Sequence, residues 1–259
     1  MKILALYNIK GGVGKTAGAV NLSFLAALAG ARVLIWDLDP QGAASFYFRI
    51  KPKIKGGSER LLKKKHRGRL EEQIRGTDYE GLDLIPADFS YRHLDLALDA
   101  KKEPTRRLAQ MLEPLADDYD FVFLDCAPSI SLTSESIFAA ADALLVPTIP
   151  TPLSLRTLVQ LDRHLRREGP EDVLVLPFLS MVDQRRSLHR RTRQEFEEGS
   201  GSNLRRVSPL LEAEIPYSSL VEQMGLQRTP LHAFAYRSKP AQAYMQLWRE
   251  ISSKLEGVP

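Results

Sequence analysis

Tyr7-Asn8-Ile9-Lys10-Gly11-Gly12-Val13-Gly14-Lys15-Thr16 is the stretch on which the reading of this chain turns. Before it, residues 2–8 (Lys-Ile-Leu-Ala-Leu-Tyr-Asn) form a short apolar run suited to a buried parallel strand. After it, Lys15–Leu28 carries alanine and leucine at helical spacing. A glycine-rich loop that joins a strand to a helix is the setting of the motif G-x-x-x-x-G-K-[ST]. There, successive backbone N–H groups wrap phosphates at the helix N-terminus. The spacing holds with one departure, Ile9 standing where the motif has its first glycine. The competing account is a glycine-rich turn with two solvated lysines, and the strand–helix setting weighs against it.

Outward from the loop, the apolar run 31–36 delivers Asp37-Leu38-Asp39-Pro40-Gln41-Gly42, and 120–124 ends in Asp125-Cys126-Ala127-Pro128-Ser129. Ligands of open parallel sheets sit at the carboxyl ends of the strands, so these acids are placed to face bound phosphates. An acid closing an apolar strand is the Walker B arrangement, which holds magnesium directly or through water. Turn chemistry alone also favours Asp and Pro at such points. Further strands are expected at 81–87, 143–147 and 173–180, with helices at 91–98, 105–115, 154–166, from Leu188 onward, and at 241–255. This alternation predicts right-handed crossovers and an α/β fold, a doubly wound, mostly parallel sheet flanked by helices. At 259 residues with 44% apolar content, one domain over 1–259 suffices.

Read as K-G-G-x-G-K-[ST], residues 10–16 resemble the deviant Walker A loop of the ParA/MinD family of P-loop ATPases. Asp37–Gln41 is similar to its switch I, D-x-D-P-Q, and Asp125–Pro128 to its switch II, usually D-x-P-P, with Ala127 replacing the first proline. The resemblance implies ATP and Mg2+ as cofactors, with Lys10, Gly11, Gly12, Val13, Gly14, Lys15, Thr16 and Ala17 around the phosphates. Lys15 would bind the β- and γ-phosphates in its own subunit, and Lys10 would reach the partner's nucleotide in an ATP-bound homodimer. A second ammonium there resembles in effect an arginine finger. Thr16 would ligate the metal, Asp37, Asp39 and Asp125 would support its shell, and Asp39 would also orient the attacking water. Met181-Val-Asp183-Gln-Arg185 resembles the M-x-D-x-R loop beside the adenine. Met181, Asp183 and Pro216 are therefore base-pocket candidates, although Asp183 could equally cap the following helix.

Charge is uneven. The segment 49–75 holds eleven Lys or Arg against three Glu in a chain whose total is +4, so the remainder is net acidic. Two readings stay open for it, a solvated face held down by Leu62, Leu70 and Ile74, or a contact with DNA or cargo. A second group, Arg185, Arg186, Arg190, Arg191, Arg193, Arg205 and Arg206, is either a sequence-independent DNA surface or an ion-paired helix exterior. Where relatives often carry I-P-R, this chain has Ile215-Pro216-Tyr217.

The resemblance further implies nonspecific DNA as a partner, with a ParB-like or other cargo adaptor that stimulates hydrolysis. The cargo could be a plasmid, a chromosomal locus, a carboxysome or a chemoreceptor cluster. No secretory signal or membrane-length apolar run is present, and the end of the chain lacks an amphipathic basic helix. A cytoplasmic, nucleoid-associated protein with no membrane partner is the expectation. The alternatives are a MinD-like membrane positioner, with the lysine-rich stretch touching anionic lipid, and a metabolic P-loop ATPase or ligase. Iron–sulfur carriers of the family need several cysteines, and Cys126 stands alone. It reads as a small buried side chain or, less simply, a reactive thiol.

Overall fold

Alternation along the first strand decides which side of the sheet each residue serves. Lys2–Leu6 (β1) sends Leu4 and Leu6 to one face and Ile3 and Ala5 to the other. It is paired in parallel with Phe121–Asp125 (β5) on one side and Ala143–Thr148 (β6) on the other. The remaining strands are Val33–Asp37 (β2), Arg75–Gly76 (β3), Leu82–Ile85 (β4), Leu174–Val182 (β7) and Glu214–Pro216 (β8). Together they make an eight-stranded sheet in the order β3-β4-β2-β5-β1-β6-β7-β8, parallel except for the short antiparallel β3–β4 edge. The computed structural model describes residues 1–62, 70–196 and 204–256.

The helices are Lys15–Leu28 (α1), Ala43–Tyr47 (α2), Gly57–Leu61 (α3), Leu94–Asp99 (α4), Arg107–Leu112 (α5), Leu132–Ala140 (α6), Pro152–Glu168 (α7), Ser187–Glu195 (α8), Ser219–Gln227 (α9), Leu231–Ala235 (α10) and Lys239–Glu256 (α11). On one face Leu98, Leu108, Phe138, Leu158, Leu161 and Leu165 from α4 to α7 close over Leu34, Trp36, Val122 and Leu124. On the other, α1 and α11 bring Leu22, Leu25, Leu247 and Ile251 onto Leu4, Leu6, Ile35 and Phe123. Each such side chain contributes roughly 1.5–3 kcal/mol when taken fully from water. The helix α1 comes close because Gly18 lacks a side chain: a Cβ there would sit 3.2 Å from Leu6 Cδ1. A doubly wound α/β fold is therefore what the chain adopts.

Some expectations shift in detail. The first strand stops at Leu6 rather than running to residue 8, because Tyr7 and Asn8 turn their side chains to anchor neighbouring loops. The helix expected over 105–115 is a short α-turn between two 3-10 turns, which contain Pro104 and Pro114. Inside the basic segment, β3 adds an unforeseen antiparallel edge. Leu62 and Leu70 are buried and Ile74 packs on the core, so the apolar side of that segment is held down as expected. Its lysine-rich centre, residues 63–69, lies outside the described residues. Among the described residues no helix is long and apolar enough to cross a membrane.

Candidate functional site

Register brings the site together. Leu6 pairs with Asp125 across β1–β5, and Asp37 pairs with Asp125 across β2–β5, so three strands end level at one rim. The glycine loop rises from the first of them. Gly12 and Gly14 have φ of 70° and 93°, values that glycine adopts without the Cβ clash other residues meet. The loop is braced from below by side chains the motif does not include. Asn8 Nδ2 donates to Pro147 O at 2.8 Å while its Oδ1 accepts from Lys10 N at 2.9 Å. Ser180 Oγ, buried, donates to Val13 O at 2.9 Å, and a Cβ on Gly14 would stand 2.9 Å from that oxygen. Lys15 Nζ turns inward to Lys10 O at 3.2 Å, whereas Lys10 is half-buried. The loop amides thus end at the N-terminus of α1, where an anion is favoured.

Three acids face this loop. Asp37 is fully buried, and its Oδ2 accepts from both Ser45 N and Ser45 Oγ at 2.8 Å. Among the described residues its Oδ1 and both oxygens of buried Asp125 lack a well-formed hydrogen bond, although the Thr16 hydroxyl lies near Asp125. Burial pushes the Asp37 carboxyl up to about 6, the Ser45 donors oppose this, and nearby Asp39 adds to it. Asp125 is held well above the usual carboxylate range by burial and then by Asp37, with the Thr16 hydroxyl and Lys15 pulling the other way. Burial also draws the Lys15 ammonium below its ordinary value, against Asp125 and Asp39. Asp39 is half-buried, and its Oδ1 accepts from Gln41 N at 2.9 Å. Orphaned acidic oxygens in a dry rim are costly unless a cation meets them. The donor set fits a nucleotide with its divalent metal: loop amides and Lys15 for phosphate, Thr16 hydroxyl and carboxylate oxygens for the metal.

Comparison with known proteins gives the same grouping. A family model described as an AAA domain matches residues 1–168. The chromosome partitioning protein ParA of Caulobacter vibrioides is 30% identical over 270 aligned residues, which cover 98% of this chain and 95% of that protein. The chain belongs to the ParA/MinD family of P-loop ATPases. Among solved structures, cobyrinic acid a,c-diamide synthase from Mycobacterium smegmatis with bound ADP and magnesium superposes with a TM-score of 0.79 at 24% identity, covering 99% of this chain and 96% of that one. The ATP complex of a Cyanothece McdA variant gives 0.78 at 21%, covering 97% and 96%.

The remaining candidates of this ParA/MinD chain divide between the rim and the surface. Met181 takes a left-handed φ of 55°, and Val182 pairs with Pro216, so Met181, Asp183 and Pro216 share the outer end of β7 and β8. Asp183 does not cap α8, whose N-cap is Arg186. It accepts instead from Arg185 N, Nε and Nη2, and Arg186 Nε stands 3.6 Å away. The arginine group is split. Arg185 and Arg186 share Asp183, Arg191 pairs with Glu195, Arg193 with Glu214, and Arg190 donates to Gln184 O. Arg205 and Arg206 lie elsewhere, against α7, where both backbone N–H groups donate to buried Asp162.

Cys126 is buried with its thiol raised well above the ordinary value, by burial first and then by Asp125, which fits the packing reading rather than a reactive thiol. Asn8, Ser45 and Ser180 escape a motif search because each acts through hydrogen bonds to residues distant in sequence. Of the three, Ser45 carried a signal, as the residue three places beyond the Gly42 that closes switch I.

Proposed function

We propose that residues 1–259 form one ATPase domain that binds Mg-ATP, dimerises around it, and positions or segregates a cargo on nonspecific DNA. The carrying observation is one loop with two lysines set against Asp37 and Asp125, which end β2 and β5, and Asp39 just beyond; among the described residues the first two hold buried oxygens without well-formed hydrogen bonds. Magnesium, when bound, would supply charge neutralisation to the phosphates. The amides of residues 11–16 and the Lys15 ammonium hold the phosphates, and Thr16 with Asp125 and Asp37 holds the metal shell. Asp39, at the mouth of the rim, orients the attacking water. Lys10 crosses to the nucleotide of the second copy, which makes hydrolysis conditional on dimerisation. Met181, Asp183 and Pro216 border the base.

Kinship to a chromosome partitioning ParA along almost the full chain supports the positioning role. The arginines around α8, with Arg205 and Arg206, are the DNA surface that the sequence suggests, but Arg185, Arg186, Arg191 and Arg193 are held by acids. An adaptor stimulates hydrolysis and thereby releases the dimer. The test is binding to nonspecific duplex DNA with ATP, ADP or no nucleotide in an Asp39→Ala background. Salt-sensitive binding seen only with ATP is expected. No binding in any state, with ATP turnover that depends on a small acceptor, would place the chain among the metabolic ligases instead.

A further inference from the structure

The arginines singled out by sequence are largely committed to acids, and the structure exposes another set with far less pairing. The helix α7 buries Ser154, Leu158, Leu161 and Leu165. On its opposite side Arg156, Gln160, Arg163 and Arg167 are all exposed. Their spacing of four, three and four residues keeps them within one narrow arc of the helix surface. That arc contains no acid. Among the described residues Arg156 and Arg163 have no ion-pair partner, and Arg167 has only the 3.9 Å approach to its neighbour Glu168, with the two side chains 80% and 55% exposed. Exposed Glu171 and Asp172 follow the end of the helix, and two nearer acids are engaged off the arc. Asp162 is buried and holds Arg166 at 3.0 Å together with the Arg205 and Arg206 amides, while Glu168 turns to His164 on the helix flank. By gathering those amides, Asp162 also fixes the exposed Arg205 against α7, on a side of the helix away from the stripe.

We propose that this ridge, Arg156, Arg163 and Arg167, is a docking surface for the phosphate backbone of duplex nucleic acid. The proposal rests on the DNA-binding reading above and names the surface that serves it. From Arg156 to Arg167 the helix rises about 16 Å, a length of duplex axis that carries about ten phosphate charges. A helix of this width matches the roughly 12 Å major groove whose walls the phosphates form. Arginine is weakly hydrated and forks onto phosphate oxygens, so the composition suits repeated phosphate contacts without base reading. An acidic protein segment is the other polyanion, but the arc of Arg156, Gln160, Arg163 and Arg167 presents no apolar side chain against which an anchor would bury, and anchors carry most of the energy at protein interfaces.

The experiment uses the full chain with ATP, Asp39→Ala to stop turnover, and random-sequence duplex titrated with salt from about 50 to 200 mM. The triple variant Arg156→Ala, Arg163→Ala, Arg167→Ala should bind at least tenfold more weakly. Its log–log salt slope should fall by about 2 to 3, the counterions of three phosphates. The matching triple lysine variant should restore the slope, and ATP-dependent dimerisation should be unchanged in both, which separates lost contact from lost fold. Wild-type slope and affinity in the alanine variant would overturn the ridge while leaving DNA binding standing. If the parent Asp39→Ala protein itself binds no duplex in any nucleotide state, the DNA reading fails and the ridge assignment with it. Retention of the parent on immobilised polyglutamate, lost in the alanine triple, would then give the ridge to an acidic protein.

Discussion

Lys10 and Lys15 are five residues apart in sequence and unlike in surroundings. Lys15 is buried with Asp125 and Asp39 pulling on it, whereas Lys10 is half-buried at the loop's outer side. Charge-assisted hydrogen bonds contribute about 1.5–3 kcal/mol each, so Lys15→Ala should weaken ATP binding by roughly ten- to a hundredfold in calorimetry. Lys10→Ala should keep ATP affinity and lose ATP-dependent dimerisation by light scattering. Equal loss of binding in both would contradict the division of labour. Ser180→Ala leaves the Val13 carbonyl without its donor, a cost of about 1–3 kcal/mol that should appear mainly in nucleotide affinity.

His189 offers a pH test. Its Nδ1 accepts from Asp183 N at 3.1 Å, and burial, then Arg186, lower its pKa below 6.5. A histidine depressed in the folded state contributes stability above its unfolded pKa and loses it as pH falls through the folded value. Between about pH 7.5 and about pH 5 the wild type should therefore lose more stability in urea than His189→Asn.

At the scale of elements, a reciprocal clasp joins the helix after switch I to the C-terminal layer. Arg49 Nε donates to Arg228 O at 3.2 Å, and Arg228 Nε donates to Phe46 O at 3.1 Å with its guanidinium 4.6 Å over the Phe46 ring. Both arginines are left-handed, with φ of 60° and 50°, and Tyr79 and Thr229 bond through their hydroxyls alongside. The side chain of Arg228 serves the clasp, while its backbone conformation prefers glycine. Arg228→Gly should accordingly be about 1 kcal/mol more stable than Arg228→Ala in chemical denaturation, although both lose the bond to Phe46 O.

Such couplings mark the boundary of what sequence shows. The strands and α1 were legible because their apolar periods are strong and the loop between them has fixed spacing. The rim acids were legible because each closes an apolar run. The pairing of Asp183 with two arginines was not, since the same residue could equally have capped the following helix and only the fold chooses between the two. The α7 ridge was equally hidden: Arg156, Gln160, Arg163 and Arg167 look like scattered polar residues until the buried side of the helix is known.

For the whole molecule, the two helical layers differ in what they tie together. Asn21, buried in the middle of α1, bonds Ala17 O, Met224 Sδ and Leu231 N, which fastens the helix behind the glycine loop to α9 and α10. On the other side, Tyr7 Oη donates to Ser129 O at 2.7 Å, tying the loop's strand to switch II. Anything that repositions the loop is therefore felt in both layers through single buried bonds rather than through broad packing. The level register of Leu6, Asp37 and Asp125 sets the complement to this. Three adjacent strands end level at one edge, so the segments that follow them, 7–14, 38–42 and 126–131, share one rim, and a ligand seated there would touch three separate stretches of chain at once.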